Sequence, residues 1–214
     1  MTSNDQAPTT VFLLRHGQTA NTVDGRFRYN GHLDVEVTPE SLRQMAAIAE
    51  QLAAYPVSRV FSSDLRRSRA GAAVIAARLR RPHVIVPEFR EIRMGLWEGL
   101  TYEEVRERYP DDLRRKFADF INYRIPGGET IPEVEKRLFG KLDELLAAHR
   151  GEHLVIVAHG GVNMLCLCRA LRLPATDIFR FKQDFCCINQ LEYYHDFSKI
   201  CLMNSPCLPP DTAN

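Results

Sequence analysis

The sequence predicts an α/β fold built on a mostly parallel sheet, and three observations carry that expectation. Four short runs at 11–14, 59–63, 83–86 and 154–158 are rich in β-branched and aromatic residues. Such runs, without polar alternation, mark strands buried on both faces. Segments of helical periodicity separate them, which is the alternation of a parallel sheet with crossover helices. Two of the runs also stop at polar residues that a turn would present, Arg15-His16-Gly17 and His159-Gly160-Gly161. Ligands of open α/β sheets sit outside the carboxyl ends of the strands.

Taken in order, residues 1–10 are polar and read as a frayed tail, without the basic and apolar regions of a signal peptide. Residues 20–37 show no period and carry the turn pairs Asp24-Gly25 and Asn30-Gly31. They read as a loop over the strand ends, bearing Asn21, Arg26 and Arg28. Thr38 is placed to cap a helix with Pro39 at its first position. Leu42, Met45, Ala46, Ala49 and Leu52 then follow at helical spacing. Asp64 is a candidate cap for a helix over 65–79, and 83–86 reads as another buried strand.

The texture changes over 88–130, which is charged and aromatic. Two short helices near 101–108 and 111–121 are expected to form a small helical cap. Thr130 and Glu133 match a capping box for a helix running to about His149. A helix over 161–171 follows the strand at 154–158. Residues 187–194 and 198–203 read as a hairpin at the sheet edge, with a polar, proline-rich tail over 204–214. No repeat or linker divides the chain, so residues 1–214 read as a single domain with a cap subregion.

Composition narrows the function classes. Apolar content of 45% and charged content of 26% suit an ordinary globular domain. A net charge of +1 argues against a dedicated nucleic-acid binder. No apolar run approaches the ~20 residues of a membrane span, so no membrane partner is expected and the cytoplasm is the expected compartment. The six cysteines form no CxxC pair and match no zinc spacing. They read as small apolar residues or free thiols. Oligomeric state is not legible.

If the strands at 11–14, 59–63 and 154–158 are parallel neighbours, two histidines and two or three arginines meet at one sheet edge. Arg66 and Arg67 both follow the second strand. Such a pocket suits a phosphate monoester, which needs forked cations and N–H donors. Arg15 and Arg67 can supply the forks. Gly160 and Gly161, opening a helix, can supply amides and the positive end of its dipole. Asn21 can donate an uncharged hydrogen bond. Two histidines divide by role: a neutral His16 attacks phosphorus, and a cationic His159 steadies the developing charge. A carboxyl beside bound phosphate is driven toward its protonated form by like charge, as a proton donor requires. Glu91 is the candidate, with Glu88 and Glu98 as rivals.

Leu14-Arg15-His16-Gly17-Gln18-Thr19 resembles the signature of the histidine phosphatase superfamily, which includes the phosphoglycerate mutases. Ser62-Ser63-Asp64-Leu65-Arg66-Arg67-Ser68 is similar to its second arginine motif, which selects Arg67 over Arg66. Residues 91–99 resemble its Glu-x-x-x-Gly-x-Trp-Glu-Gly segment, which favours Glu91 over its rivals. Residues 126–130 and 157–161 are similar to two further motifs, so the resemblance runs from about Val11 to Tyr194. It implies a three-layer sandwich with helices on both faces, a phosphohistidine on His16, and no metal or other cofactor. It also implies that Asn21 and Arg26 lie near the ligand. One stretch departs from the pattern: after Arg26 the family commonly continues with Gln-Gly, where this chain has Phe27-Arg28-Tyr29-Asn30-Gly31.

The resemblance implies hydrolysis of a small phosphorylated metabolite. Mutase activity is the rival, but the long basic insert of that branch is missing from residues 100–125. Segments 29–35 and 183–189 resemble parts of α-ribazole phosphatases. Cys166 and Arg172 fit the Cys-x5-Arg spacing of cysteine phosphatases by coincidence, lacking its glycines. Metal hydrolysis lacks the ligand spacing it needs. An inactive phosphate- or protein-binding module is the rival from another class, and the retention of all five polar residues argues against it.

Overall fold

Strand pairing in the computed structural model, which describes residues 7–208, brings the two histidine motifs side by side. Six strands form one sheet: β1 (Thr9–Arg15), β2 (Val57–Ser62), β3 (His83–Ile85), β4 (His153–Ala158), β5 (Ile188–Tyr193) and β6 (Ser198–Ser205). Their order is β3-β2-β4-β1-β5-β6. The first four run parallel, whereas β5 and β6 pair antiparallel as a hairpin beyond β1. Arg15 of β1 lies opposite Ala158 of β4, so His16 and His159 leave the sheet at the same level.

Both faces of the sheet are covered. Phe12 and Leu14 of β1 pack with Val155 and Val157 of β4 against α1 (Pro39–Leu52) and α2 (Arg66–Leu79). Val11 and Leu13 point the other way with Leu154 and Ile156, against α5 (Ile131–Ala148) and α6 (Gly160–Ala170). Alternate side chains of a strand face opposite sides, so a strand sandwiched between helix layers must be apolar throughout. The result is the expected three-layer α/β sandwich. The cap comprises α3 (Tyr102–Arg108) and α4 (Pro110–Ala118) around Trp97, Val105, Leu113 and Ile125. No helix among the described residues is long and apolar enough to cross a membrane.

Local sequence accounts for most helix ends. Thr38 Oγ1 accepts the Ser41 N–H at 3.2 Å, with Pro39 opening α1. Thr101 and Glu104 cap α3 reciprocally. The Glu133 carboxylate takes the Thr130 N–H at 2.9 Å at the start of α5.

Four local expectations need correction. Asp64 does not cap α2; its carboxylate pairs with Arg90 instead, and Leu65 holds the cap position. The strand at 83–86 is not buried. As β3 it is a three-residue edge, with Val84 37% and Ile85 47% exposed. The α4 helix stops at Ala118, short of residue 121. The polar ends are less free than composition suggests. Thr9 and Thr10 are buried in β1, and Asn204 and Ser205 belong to β6. Leu208 packs in the core beside α1 while its N–H bonds Gln51 Oε1 at 2.7 Å. The remainder of both expected tails, 1–6 and 209–214, lies outside the described residues.

Gly95 is a point where the cap loop meets the 126–128 turn. Its φ is +55°, and an added Cβ would stand 2.1 Å from the Pro126 carbonyl oxygen. Both backbone strain and overlap oppose a side chain there. Gly95→Ala is expected to cost about 2 kcal/mol or more of stability, read as a lowered urea midpoint with unchanged slope.

Candidate active site

His16 follows β1, and its N–H bonds the Ala158 carbonyl at 3.0 Å, which extends the parallel pairing by one residue. Its ring Nδ1 lies 2.7 Å from the Gly17 carbonyl oxygen. A carbonyl only accepts, so Nδ1 carries the proton and Nε2 keeps its lone pair. Gly17 has to be glycine: a Cβ would fall 2.2 Å from Ser41 Cβ. His159 follows β4 at the matching level, and the two rings meet edge-on with centroids 5.1 Å apart. His159 Nε2 is 2.7 Å from Ser63 Oγ, and its Nδ1 is buried with no hydrogen-bond partner.

Two guanidinium groups flank the rings. Arg15 donates from Nη1 to the Gln183 carbonyl at 2.5 Å, and its guanidinium lies 4.1 Å from the centre of the Phe185 ring. Arg67, in the first turn of α2, is 1% exposed and donates to the Gly31 and Leu33 carbonyls at 2.6 and 2.7 Å. Arg66, by contrast, is exposed and pairs with Glu36. The Nε atoms of both Arg15 and Arg67 are buried and unpartnered.

Burial sets the protonation states. It holds His16 well below the usual imidazole range, and the Arg67 and Arg15 charges push it further down. Burial does the same to His159, helped by Arg67, His16 and Arg15. Where the sequence predicts a cationic His159, burial and the neighbouring arginines favour the neutral ring, as they do at His16. Burial also pushes Arg67 down to about 10 and lowers Arg15, while the nearby Glu91 charge pulls each the other way.

Glu91 reaches this cluster from the loop after β3. Its Oε1 accepts the Ile92 N–H at 2.9 Å and its Oε2 accepts the Gly161 N–H at 2.9 Å. The rival Glu98 is committed elsewhere, with Oε1 accepting the His32 and Met94 N–H groups. Glu88 offers its main-chain carbonyl to Arg137.

The groups expected to contact phosphate have protein surroundings of their own. The helix amide at Gly161 is already held by Glu91. Gly160 instead gives room: an added Cβ would meet Arg15 Nε at 3.4 Å. Asn21 spends its amide on neighbours, donating to Asn30 Oδ1 at 2.7 Å and accepting from Thr19 Oγ1 at 2.8 Å. Arg26 is exposed, with its main-chain N–H on Asp24 Oδ1. The structure thus brings Arg15, His16, Arg67, Glu91 and His159 together, with Gly160 beneath Arg15. It does not join Asn21 or Arg26 to them. Sequence reasoning missed Ser63, Gln183 and Phe185 as partners of the site. Ser63 lies inside the second arginine motif, and the other two lie in the 183–189 stretch. Among the described residues no group of three or more His, Cys, Asp or Glu is placed to hold a metal ion.

Family comparison agrees with this geometry. The profile of the histidine phosphatase superfamily (branch 1) matches residues 11–206, and the chain belongs to that family. A metal-independent phosphoserine phosphatase of Arabidopsis thaliana is 35% identical over 158 residues, covering 72% of this chain. The chain spans 65% of that relative's length. The adenosylcobalamin/α-ribazole phosphatase of Salmonella typhimurium is 27% identical over 195 residues, covering 91% of this chain and 96% of its own. Among solved structures, a mycobacterial glucosyl-3-phosphoglycerate phosphatase superposes with a TM-score of 0.80 at 26% identity, covering 92% of this chain and 99% of its own.

Neutral buried histidines couple stability to pH. Below about pH 6.5 the unfolded chain binds protons at His16 and His159 that the native state refuses, so stability falls as pH falls, by up to about 1.4 kcal/mol per pH unit for each ring. Urea unfolding between pH 7.5 and 5 is expected to show a shallower decline in His16→Gln and His159→Gln than in the parent chain.

Proposed function

We propose that this protein is a metal-independent phosphomonoesterase that acts through a phosphohistidine on His16. The observation that carries the reading is the Nδ1–H bond from His16 to Gly17, which leaves Nε2 unprotonated beside two buried guanidiniums. A neutral imidazole so fixed is an activated nucleophile. The unpartnered Nε atoms of Arg15 and Arg67 and Nδ1 of His159 are donors for the non-bridging oxygens of the ester.

Chemistry follows in two displacements. Nε2 of His16 forms a bond to phosphorus as the bond to the leaving oxygen breaks. Glu91, which takes up a proton when the anionic ester binds beside it, gives that proton to the leaving oxygen, so the alcohol departs neutral. Water then attacks the phosphohistidine, Glu91 takes back a proton, and inorganic phosphate leaves. Arg15, Arg67 and His159 hold the transferred group throughout.

The substrate is a small phosphorylated metabolite. α-Ribazole 5'-phosphate and phosphoserine are the two candidates to test first, because relatives carrying those names align with this chain. The proposed compartment is the cytoplasm, a reading supported by six free cysteines among the described residues.

His16→Gln is expected to lose essentially all turnover, by about 10⁴-fold or more. Rapid quenching in alkali should recover an acid-labile phosphoryl group on His16 in the parent chain. Full turnover in excess chelator, with inorganic phosphate and no isomerised ester as product, is expected. Label on a residue other than His16, or transfer to a second hydroxyl, would refute the reading.

A further inference from the structure

Glu91 sits in a stretch with no regular secondary structure, between the short turn at Pro87–Phe89 and the cap. Its aim must therefore come from outside its own segment. Three of the five N–H groups of Arg137, on α5, donate to that stretch, and the other two hold Glu129. Nη1 donates to the Glu88 and Arg90 carbonyls at 2.6 and 2.8 Å. Nη2 donates to the Glu91 carbonyl at 2.9 Å and to Glu129 Oε2 at 2.9 Å, and Nε donates to Glu129 Oε1 at 2.8 Å. His32 Nε2, from the loop that also holds Arg67, donates to the same Glu91 carbonyl at 2.9 Å.

We propose that Arg137 is the positioning residue of the proton donor: its guanidinium gathers the main-chain carbonyls of Glu88, Arg90 and Glu91 and so fixes the direction in which Glu91 leaves the chain. The inference rests on the assignment of Glu91 as that donor. Glu129 neutralises Arg137 with a two-toothed pair and accepts the Arg93 N–H at 2.9 Å, closing the far side of the loop. The Glu91 side chain then spans to the Gly161 N–H across the cluster. A lysine has three donors around one nitrogen and cannot serve a carboxylate and three carbonyls at once. His32 is a second, weaker hand on the same peptide, and it links the Arg67 loop to the donor.

A misaimed acid and a damaged fold give different kinetics. Esters with a poor leaving group need the proton, whereas p-nitrophenolate is a weak base and leaves without it. The kcat/KM values for an alkyl phosphate and for p-nitrophenyl phosphate report the first displacement with each. Arg137→Lys is expected to lose about 10²-fold on the alkyl ester, with little change on the aryl ester or in inhibition by inorganic phosphate. His32→Leu should shift the same ratio by about tenfold, and it carries the test if the arginine variant does not fold. Equal losses on both esters in these variants would overturn the proposal. Glu91→Gln separates the two levels. If it too loses both esters equally, the donor assignment fails. If it alone shows leaving-group selectivity, the assignment stands and Arg137 has no positioning role.

Discussion

The structure depends on confining two guanidinium groups and two imidazoles in one buried recess. Like charges at close range repel by a few kcal/mol at the effective dielectric of a protein interior, about 20. The fold limits that cost in three ways. The imidazoles stay neutral, held so by burial and by the arginines themselves. Each guanidinium rests on main-chain carbonyls, Arg15 on Gln183 and Arg67 on Gly31 and Leu33. Glu91 places one negative charge within reach of both. What remains is a set of donors whose natural complement is a compact anion.

Rigid elements hold this arrangement. The β1–β4 register sets the two histidines level, and a buried amide network backs the loop that carries Gln183 and Phe185. Asn189 Nδ2 donates to the Leu13 carbonyl and to Gln183 Oε1, and Gln183 returns a bond to Asn189 Oδ1. Asn204 ties the same loop to β6 through Asp184. Such closed networks stiffen a site because breaking any member strands a buried polar group. The half-buried Phe185 ring packs against both Arg15 and His16.

The legible and illegible parts of the sequence divide along a physical line. Central strands between two helix layers have to be apolar without interruption, so β1 and β4 stood out, and the polar residues ending them were conspicuous. Helices with local caps, such as those begun by Thr38 and Thr130, were readable for the same reason: the interaction lies within four residues. Long-range partnerships were not readable. Asp64 finds Arg90 across 26 positions and not the helix beside it. The α6 amide at Gly161 looked like a phosphate donor, but Glu91 reaches it from 70 positions away. Arg137 sits 46 residues beyond the carbonyl it holds, on an ordinary-looking helix face. The edge position of β3 also has no local signature, because its apolar run resembles that of a buried strand.

The shared anion site is tested most directly by the response of the seven histidines to inorganic phosphate, followed by NMR of ε1-labelled imidazole carbons near neutral pH. Phosphate binding is expected to move the signals of His16 and His159 together and to leave that of the exposed His195 unmoved. Saturable phosphate binding that leaves both of those signals in place would contradict it.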